Sequence, residues 1–136
     1  MANEQSMIYV IDDDESVRRA FERLLRSADL KVETFASAEE FLRGERQGEN
    51  ACIVVDIRMP GLTGFDLQQN MATRGIQIPV IVISASDDAQ TREQARRLGA
   101  AAFFRKPIDD QALLDAIWWS ISEAREKTKD RSRYVE

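Results

Sequence analysis

Residues 52–61 read CIVVDIRMPG, a short apolar run that ends in an aspartate and a turn containing proline and glycine. The run Cys52–Val55 is apolar at every position, which is typical of a parallel strand covered by helices on both faces. Open α/β folds hold their functional sites at the carboxyl ends of such strands. Asp56 is therefore a candidate functional residue from its position alone.

Five short apolar runs of this kind alternate with helical patterns along the chain, which predicts an α/β fold with a parallel sheet and right-handed crossovers. The predicted strands are Met7–Ile11, Lys31–Phe35, Cys52–Val55, Val80–Ile83 and Ala101–Phe104. Five strand–helix units match the flavodoxin-like, doubly wound arrangement, with strand order 2-1-3-4-5 and five helices.

Helix signals follow each predicted strand. Ser37, with Glu40 three residues later, forms a capping box that starts the second helix. The other predicted boundaries are near Gly64 for the third helix, from about Asp87 to Leu98 with a stop at Gly99 for the fourth, and near Asp109 for the fifth. The residues predicted to face the core are Val17, Phe21, Leu24, Leu25 and Ala28 in the first helix, Leu67 and Met71 in the third, and Leu114, Ile117 and Ile121 in the fifth.

The composition is that of one globular domain, since 43% of the 136 residues are hydrophobic and 32% are charged. The net charge of -5 argues against nucleic acid as a partner of this segment, because binding phosphates requires clustered lysine and arginine. The absence of histidine excludes Ser-His and Cys-His catalysis and most zinc sites. It also means that this chain is not a phosphohistidine donor.

The sequence carries no targeting or redox pattern. Residues 1–7 lack the basic-then-apolar order of a secretory signal, and no apolar run is long enough to cross a bilayer. We therefore expect a cytoplasmic location and no membrane partner. The single cysteine, Cys52, is expected to be a small buried side chain.

Polar side chains follow four of the five predicted strands. The first strand ends in Asp12–Glu15, the third in Asp56 and the fourth in Ser84, and Lys106 follows the fifth. Because the carboxyl ends of parallel strands meet at one edge of the sheet, we expect three carboxylates, one hydroxyl and one ammonium to converge there.

Helix capping is the alternative explanation for single acidic residues, with Asp14 or Ser16 capping the first helix and Asp87 the fourth. Capping does not account for the carboxylates as a set, since like charges this close together require a compensating cation. A few carboxylates, a backbone carbonyl and several waters are the ligands that Mg²⁺ prefers. Lys106 would supply further positive charge and a phosphate contact.

With these residues in this order, the chain resembles the receiver domains of two-component response regulators over about residues 7–122. The Met-Pro-Gly turn at 59–61 strengthens this resemblance. Residues 11–18, IDDDESVR, resemble the FixJ-like group, which usually carries a C-terminal helix-turn-helix. The resemblance implies a phospho-accepting signalling domain that uses Mg²⁺ and a sensor histidine kinase. It implies no enzyme activity beyond its own phosphorylation and dephosphorylation.

The resemblance also implies a role for each site residue. Among the metal ligands, Asp56 is also the phosphoacceptor, Asp13 binds Mg²⁺ directly, Asp12 binds it largely through water, and Arg58 binds it through its backbone carbonyl. Ser84 is the switch hydroxyl and Phe103 the switch aromatic. Lys106 contacts the phosphoryl group, and the Lys106–Pro107 bond is expected to be cis. Ser84 stands where threonine is more frequent. Arg58 and Ser86 occupy positions that tune phosphoryl lifetime in the family.

The expected output lies outside this chain. The resemblance implies a receiver domain over 1–122 and a charged helical extension or linker over 123–136, leading to a transcriptional effector that would supply any DNA binding. The chain end at Glu136 suggests a piece of a longer protein. Trp119 is expected to point away from the core. It is a candidate contact for a homodimer through the helix 4–strand 5–helix 5 face, unless it packs against the continuation of its own helix.

Three other interpretations compete. A haloacid-dehalogenase-type phosphatase would explain residues 12–16, Ser84 and Lys106, but it leaves Asp56 unexplained. It also requires a further strand ending in acidic metal ligands, where residues 109–110 begin a helix. A flavodoxin would need a hydroxyl- and glycine-rich phosphate cradle after the first strand, where acidic residues stand instead. A pseudo-receiver that signals through protein contacts without phosphorylation usually lacks the acceptor or the acidic pair, and this chain keeps both. For the output, the alternative is a stand-alone receiver acting through protein contacts.

Overall fold

The structure is a computed structural model that describes residues 5–46, 48–86 and 88–134, with side chains as far as residue 127. The strands are β1 (Met7–Ile11), β2 (Lys31–Phe35), β3 (Ala51–Asp56), β4 (Val80–Ser84) and β5 (Ala102–Arg105). The helices are α1 (Glu15–Ser27), α2 (Ala38–Leu42), α3 (Gly64–Arg74), α4 (Ala89–Arg97) and α5 (Asp110–Tyr134). In this described part the strands form one parallel sheet in the order β2-β1-β3-β4-β5, which confirms the predicted fold.

β3 lies at the centre of the sheet, and each of its residues is buried. Its side chains alternate between two layers of core, because successive residues of a strand point to opposite faces. Ile53 and Val55 join the cluster shared with α2, α3 and α4, whereas Cys52 and Val54 join the cluster shared with α1 and α5. This burial on both faces explains the unbroken apolar run. It also raises the pKa of the Cys52 thiol to about 12.

Side-chain caps start the helices α1 and α3, which follow β1 and β3 at the carboxyl ends of the strands. The carboxylate of Asp14 accepts the backbone N–H of Ser16 at 2.9 Å, so α1 begins immediately after it. Thr63 and Asp66 form a reciprocal capping box at the start of α3. Because Asp14 provides the cap, the two aspartates before it are not needed for this purpose.

The fourth helix begins later than the sequence predicted. α4 starts at Ala89, and the carboxylate of Asp88 caps it by accepting the N–H of Thr91 at 2.8 Å. The predicted start, Asp87, lies outside the described residues. Adjacent aspartates have the same capping chemistry, so the sequence pattern does not distinguish between them.

The fifth helix differs from the prediction on its inner face. Leu113 is fully buried, whereas the predicted Leu114 is only half-buried at the edge of the same cluster. α5 continues to Tyr134, past the expected domain limit at 122, and residues 135–136 lie outside the described part. Among the described helices, α5 included, there is no segment long and apolar enough to cross a membrane.

Candidate phosphoryl and metal site

The functional edge is formed by the carboxyl ends of the parallel strands. Ile11 of β1 pairs with Val55 of β3, so Asp12 and Asp56 leave neighbouring strands side by side. Ser84 ends β4, and its carbonyl accepts the backbone N–H of Lys106 at 2.8 Å. The fold therefore brings the predicted acids, hydroxyl and ammonium to one edge of the sheet.

Lys106 is hydrogen-bonded to two buried carboxylates. Its Nζ atom lies 2.8 Å from Oδ2 of Asp56 and 3.4 Å from Oδ2 of Asp12. The ammonium is partly shielded from water, since the side chains of Lys106, Asp56 and Asp12 are 28%, 10% and 3% exposed. Burial alone would lower the pKa of Lys106, but the hydrogen bond to Asp56 and the two negative charges outweigh it and raise that pKa. The expected cis Lys106–Pro107 peptide bond is present.

Three carboxylates meet beside this ammonium. Asp12, Asp13 and Asp56 each offer an oxygen within 4.8 Å of the others, and only Asp13 of the three is exposed. Burial raises the pKa of Asp12, and the charge of Asp56 adds to that effect, although the N–H of Asp14 and the ammonium of Lys106 oppose it. One ammonium does not balance three carboxylates. The residues therefore fit a hard divalent cation such as Mg²⁺, which prefers oxygen ligands.

Backbone N–H groups fix the orientation of both buried carboxylates. Oδ1 of Asp12 accepts the N–H of Asp14 at 2.9 Å, and Oδ1 of Asp56 accepts the N–H of Arg58 at 3.0 Å. In each residue the other oxygen, Oδ2, faces Lys106. The acidic site is thus held in place by the loops after β1 and β3.

The remaining predicted residues lie around this centre. Ser84 is 1% exposed, and its Oγ atom accepts the N–H of Ser86 at 3.0 Å. Phe103 is half-buried, with the guanidinium carbon of Arg92 4.9 Å from its ring centroid. The side chain of Arg58 is exposed and donates from Nη2 to Oγ of Ser86 at 2.8 Å. No local sequence pattern predicts this last bond, because it joins residues 28 positions apart.

Trp119 is not part of the acidic site. It is 56% exposed, and it lines an open cleft at the opposite, amino-terminal edge of the sheet, beside the first residues of three strands, Lys31, Ala51 and Val80. Its neighbour Trp118 is 44% exposed. The predicted exposure is therefore present, but at the end of the sheet away from the carboxylates.

A family model described as the response regulator receiver domain matches residues 8–118. The chain belongs to this family. Receiver domains of response regulators accept phosphate from histidine kinases and generally bind Mg²⁺ at an acidic pocket. This chain has an acidic cluster formed by Asp12, Asp13 and Asp56. Asp110 begins α5 and the carboxylate of Asp109 accepts the N–H of Ala112, so these acids serve a helix start rather than a phosphatase metal site.

The receiver domain is similar to transcriptional response regulators. It is 38% identical to the transcriptional regulatory protein TdiR of Thauera aromatica, over 96% of this chain and 59% of that protein. It is also 38% identical to the transcriptional regulatory protein FixJ of Azorhizobium caulinodans, over 88% of this chain and 57% of that protein. These matches confirm the predicted relation to the FixJ-like group. The chain spans about three fifths of the length of these curated relatives.

Solved structures agree with the fold. The response regulator StyR superposes with a TM-score of 0.86 at 38% identity, over 96% of this chain and 66% of that chain. FixJ-N superposes with a TM-score of 0.81 at 31% identity, over 88% of this chain and 95% of that chain. The receiver fold and its place in two-component signalling are thus established, and the role of each site residue remains a prediction.

Proposed function

We propose that Asp56 accepts a phosphoryl group from the phosphohistidine of a sensor kinase. The observation that carries the proposal is the environment of its carboxylate. One oxygen is held by the N–H of Arg58, and the other lies 2.8 Å from the ammonium of Lys106. Asp12 and Asp13 stand within 4.8 Å of it as further oxygen donors. The side-chain oxygens of the three aspartates and the backbone carbonyl of Arg58 would hold Mg²⁺.

The transfer forms one bond and breaks one. A carboxylate oxygen of Asp56 attacks the phosphorus atom, the phosphorus–nitrogen bond breaks, and the imidazole nitrogen of the kinase leaves with the electron pair. When bound, Mg²⁺ supplies charge neutralisation for the transferred oxygens. Lys106 already contacts the acceptor carboxylate and is placed to contact the phosphoryl oxygens after transfer. Outside its own phosphorylation and dephosphorylation, the domain catalyses no reaction in this proposal.

The output begins at the switch residues. Phosphorylation adds about −1.5 to −2 charge and new acceptor oxygens, to which the buried hydroxyl of Ser84 donates a hydrogen bond. Phe103 then turns inward and changes the α4–β5–α5 face, which favours a homodimer. The greater length of TdiR and FixJ, both named as transcriptional regulatory proteins, supports an effector outside this chain. In this proposal the receiver domain covers 1–122, and a charged helical extension or linker over 123–136 leads to a DNA-binding effector.

Intact-mass measurement tests the acceptor. In the presence of Mg²⁺ and a small acyl phosphate, we expect the wild-type chain to gain the mass of one phosphoryl group and Asp56→Asn to gain none. Asp14→Asn is the matched control, because Asp14 lies in the same acidic run but caps α1. A phosphoryl mass that persists in Asp56→Asn would overturn the assignment.

A further inference from the structure

The side chain of Arg58 links the loop after β3 to the loop after β4. The N–H of Arg58 donates to Oδ1 of Asp56 at 3.0 Å, and its Nη2 atom donates to Oγ of Ser86 at 2.8 Å. The N–H of Ser86 then donates to Oγ of Ser84 at 3.0 Å. Hydrogen bonds through two residues, Arg58 and Ser86, therefore connect the proposed acceptor with the proposed switch hydroxyl.

This Arg58–Ser86 bridge lies at the surface above a buried group. Ser84 is 1% exposed, whereas the side chain of Arg58 is exposed and Ser86 is half-buried. The bridge therefore lies on the solvent side of the buried hydroxyl, and its guanidinium is accessible to an anion.

The bridge is also close to the start of α4. Asp88 caps this helix and lies two residues after Ser86. Hydrogen bonds from Thr91 lower the pKa of Asp88, and the positive charge of Arg58 adds to that lowering. Arg58 is thus near enough for its charge to act on the first turn of α4.

We propose that Arg58 is a positioning residue whose bond to Ser86 holds Ser84 and the start of α4 in place before phosphorylation, and that a phosphoryl group on Asp56 removes this restraint by attracting the guanidinium. The second half of this proposal rests on the proposed function. The physical reason is the difference between the two acceptors. A guanidinium–phosphate hydrogen bond is charged on both sides and is frequently bidentate, whereas the bond to the Ser86 hydroxyl carries a charge on the donor alone. The bond to Ser86 is therefore the weaker of the two competing bonds.

The first measurement concerns the bridge alone. In the unphosphorylated, Mg²⁺-free protein, we expect amide hydrogens in residues 84–98 to exchange roughly fivefold faster in Arg58→Ala, the factor that one hydrogen bond of ordinary net strength is worth. Ser86→Ala should give the same increase. Amide exchange in the double variant should be no faster than in either single variant, since both substitutions remove the same hydrogen bond.

Two further variants separate positioning from general damage. Ser86→Thr keeps the hydroxyl and is expected to retain wild-type exchange. Arg105→Ala removes an exposed arginine from the same edge of the sheet and is also expected to leave exchange unchanged. The proposal is overturned if Arg58→Ala or Ser86→Ala exchanges at the wild-type rate, if their effects multiply in the double variant, or if β1 and α1 exchange faster to the same extent.

The second measurement concerns the phosphoryl group. After phosphorylation verified by mass, exchange of residues 88–98, which do not include Ser84 and its new bond to the phosphoryl group, should rise in the wild type to the rate that they have in unphosphorylated Arg58→Ala. This variant should change little further. Slow exchange in verified phosphorylated wild type would overturn the release by phosphate while leaving the proposed function intact. An absence of phosphoryl mass would overturn the proposed function and the release together, and the first measurement would still decide whether Arg58 positions Ser84.

Discussion

Replacing Lys106 by methionine removes the ammonium that lies 2.8 Å from Asp56 and 3.4 Å from Asp12. Exposed ion pairs contribute about 0–1 kcal/mol to stability, whereas removing one partner of a buried pair costs about 3–5 kcal/mol. The side chain of Lys106 is 28% exposed and those of its two partners are 10% and 3% exposed, so this site lies between the two limits. Without Mg²⁺, we expect Lys106→Met to lose about 2 kcal/mol of unfolding free energy.

Urea unfolding in EDTA measures this loss. With a slope of about 2 kcal/mol per molar urea, the midpoint should fall by about 1 M. Adding Asp56→Asn should restore about 1 kcal/mol, because one fewer buried carboxylate then lacks a counter-charge. Arg105→Met removes the neighbouring exposed cation, and its unfolding free energy should stay within about 0.5 kcal/mol of that of wild type. A Lys106→Met midpoint equal to that of wild type, or effects of Lys106→Met and Asp56→Asn that simply add, would contradict this account of the ion pair.

Three further predictions follow from burial. Asp12→Asn should raise the urea midpoint at neutral pH in EDTA. Because the pKa of Asp12 is raised in the folded protein, the unfolding free energy falls as the pH rises above the ordinary pKa of an aspartate. The variant should lack this fall. A midpoint at or below that of wild type would contradict this. Cys52 should resist iodoacetamide at pH 8 in the folded protein and react in urea, since burial raises its pKa to about 12; alkylation without unfolding would count against the packing of β3. In urea unfolding, Leu113→Ala should lower the unfolding free energy by about 2–5 kcal/mol, and Leu114→Ala should lower it by clearly less. Equal losses in the two variants would contradict the greater burial of Leu113.

The sheet was predictable because its signals are local and repeated. Residues 52–55 are apolar without a break since they are buried on both faces, and the parallel order then places Asp12, Asp56 and Ser84 at one edge. Each of these inferences depends on strand periodicity and on the connection rule for parallel strands. Neither depends on the detailed packing of side chains.

Two kinds of feature were not predictable from the sequence: the choice between neighbouring residues that suit one role, and contacts between distant loops. Leu113 and Leu114 both suit the inner face of α5, and only packing against the sheet decides that Leu113 is fully buried. The Arg58–Ser86 bond joins two loops, and its distance depends on how β3 and β4 place those loops. Pattern and propensity describe one segment at a time, so they do not reveal contacts of this kind.

Locating the phosphoryl group on the chain tests the central claim most directly. Borohydride reduces an aspartyl phosphate to homoserine, so peptide mass spectrometry after treatment with Mg²⁺, a small acyl phosphate and borohydride identifies the modified residue. The environment of Asp56, between the N–H of Arg58 and the ammonium of Lys106, predicts homoserine at position 56 and aspartate at positions 12 and 13. Homoserine at position 12 or 13, or an unmodified Asp56 in phosphorylated protein, would contradict it.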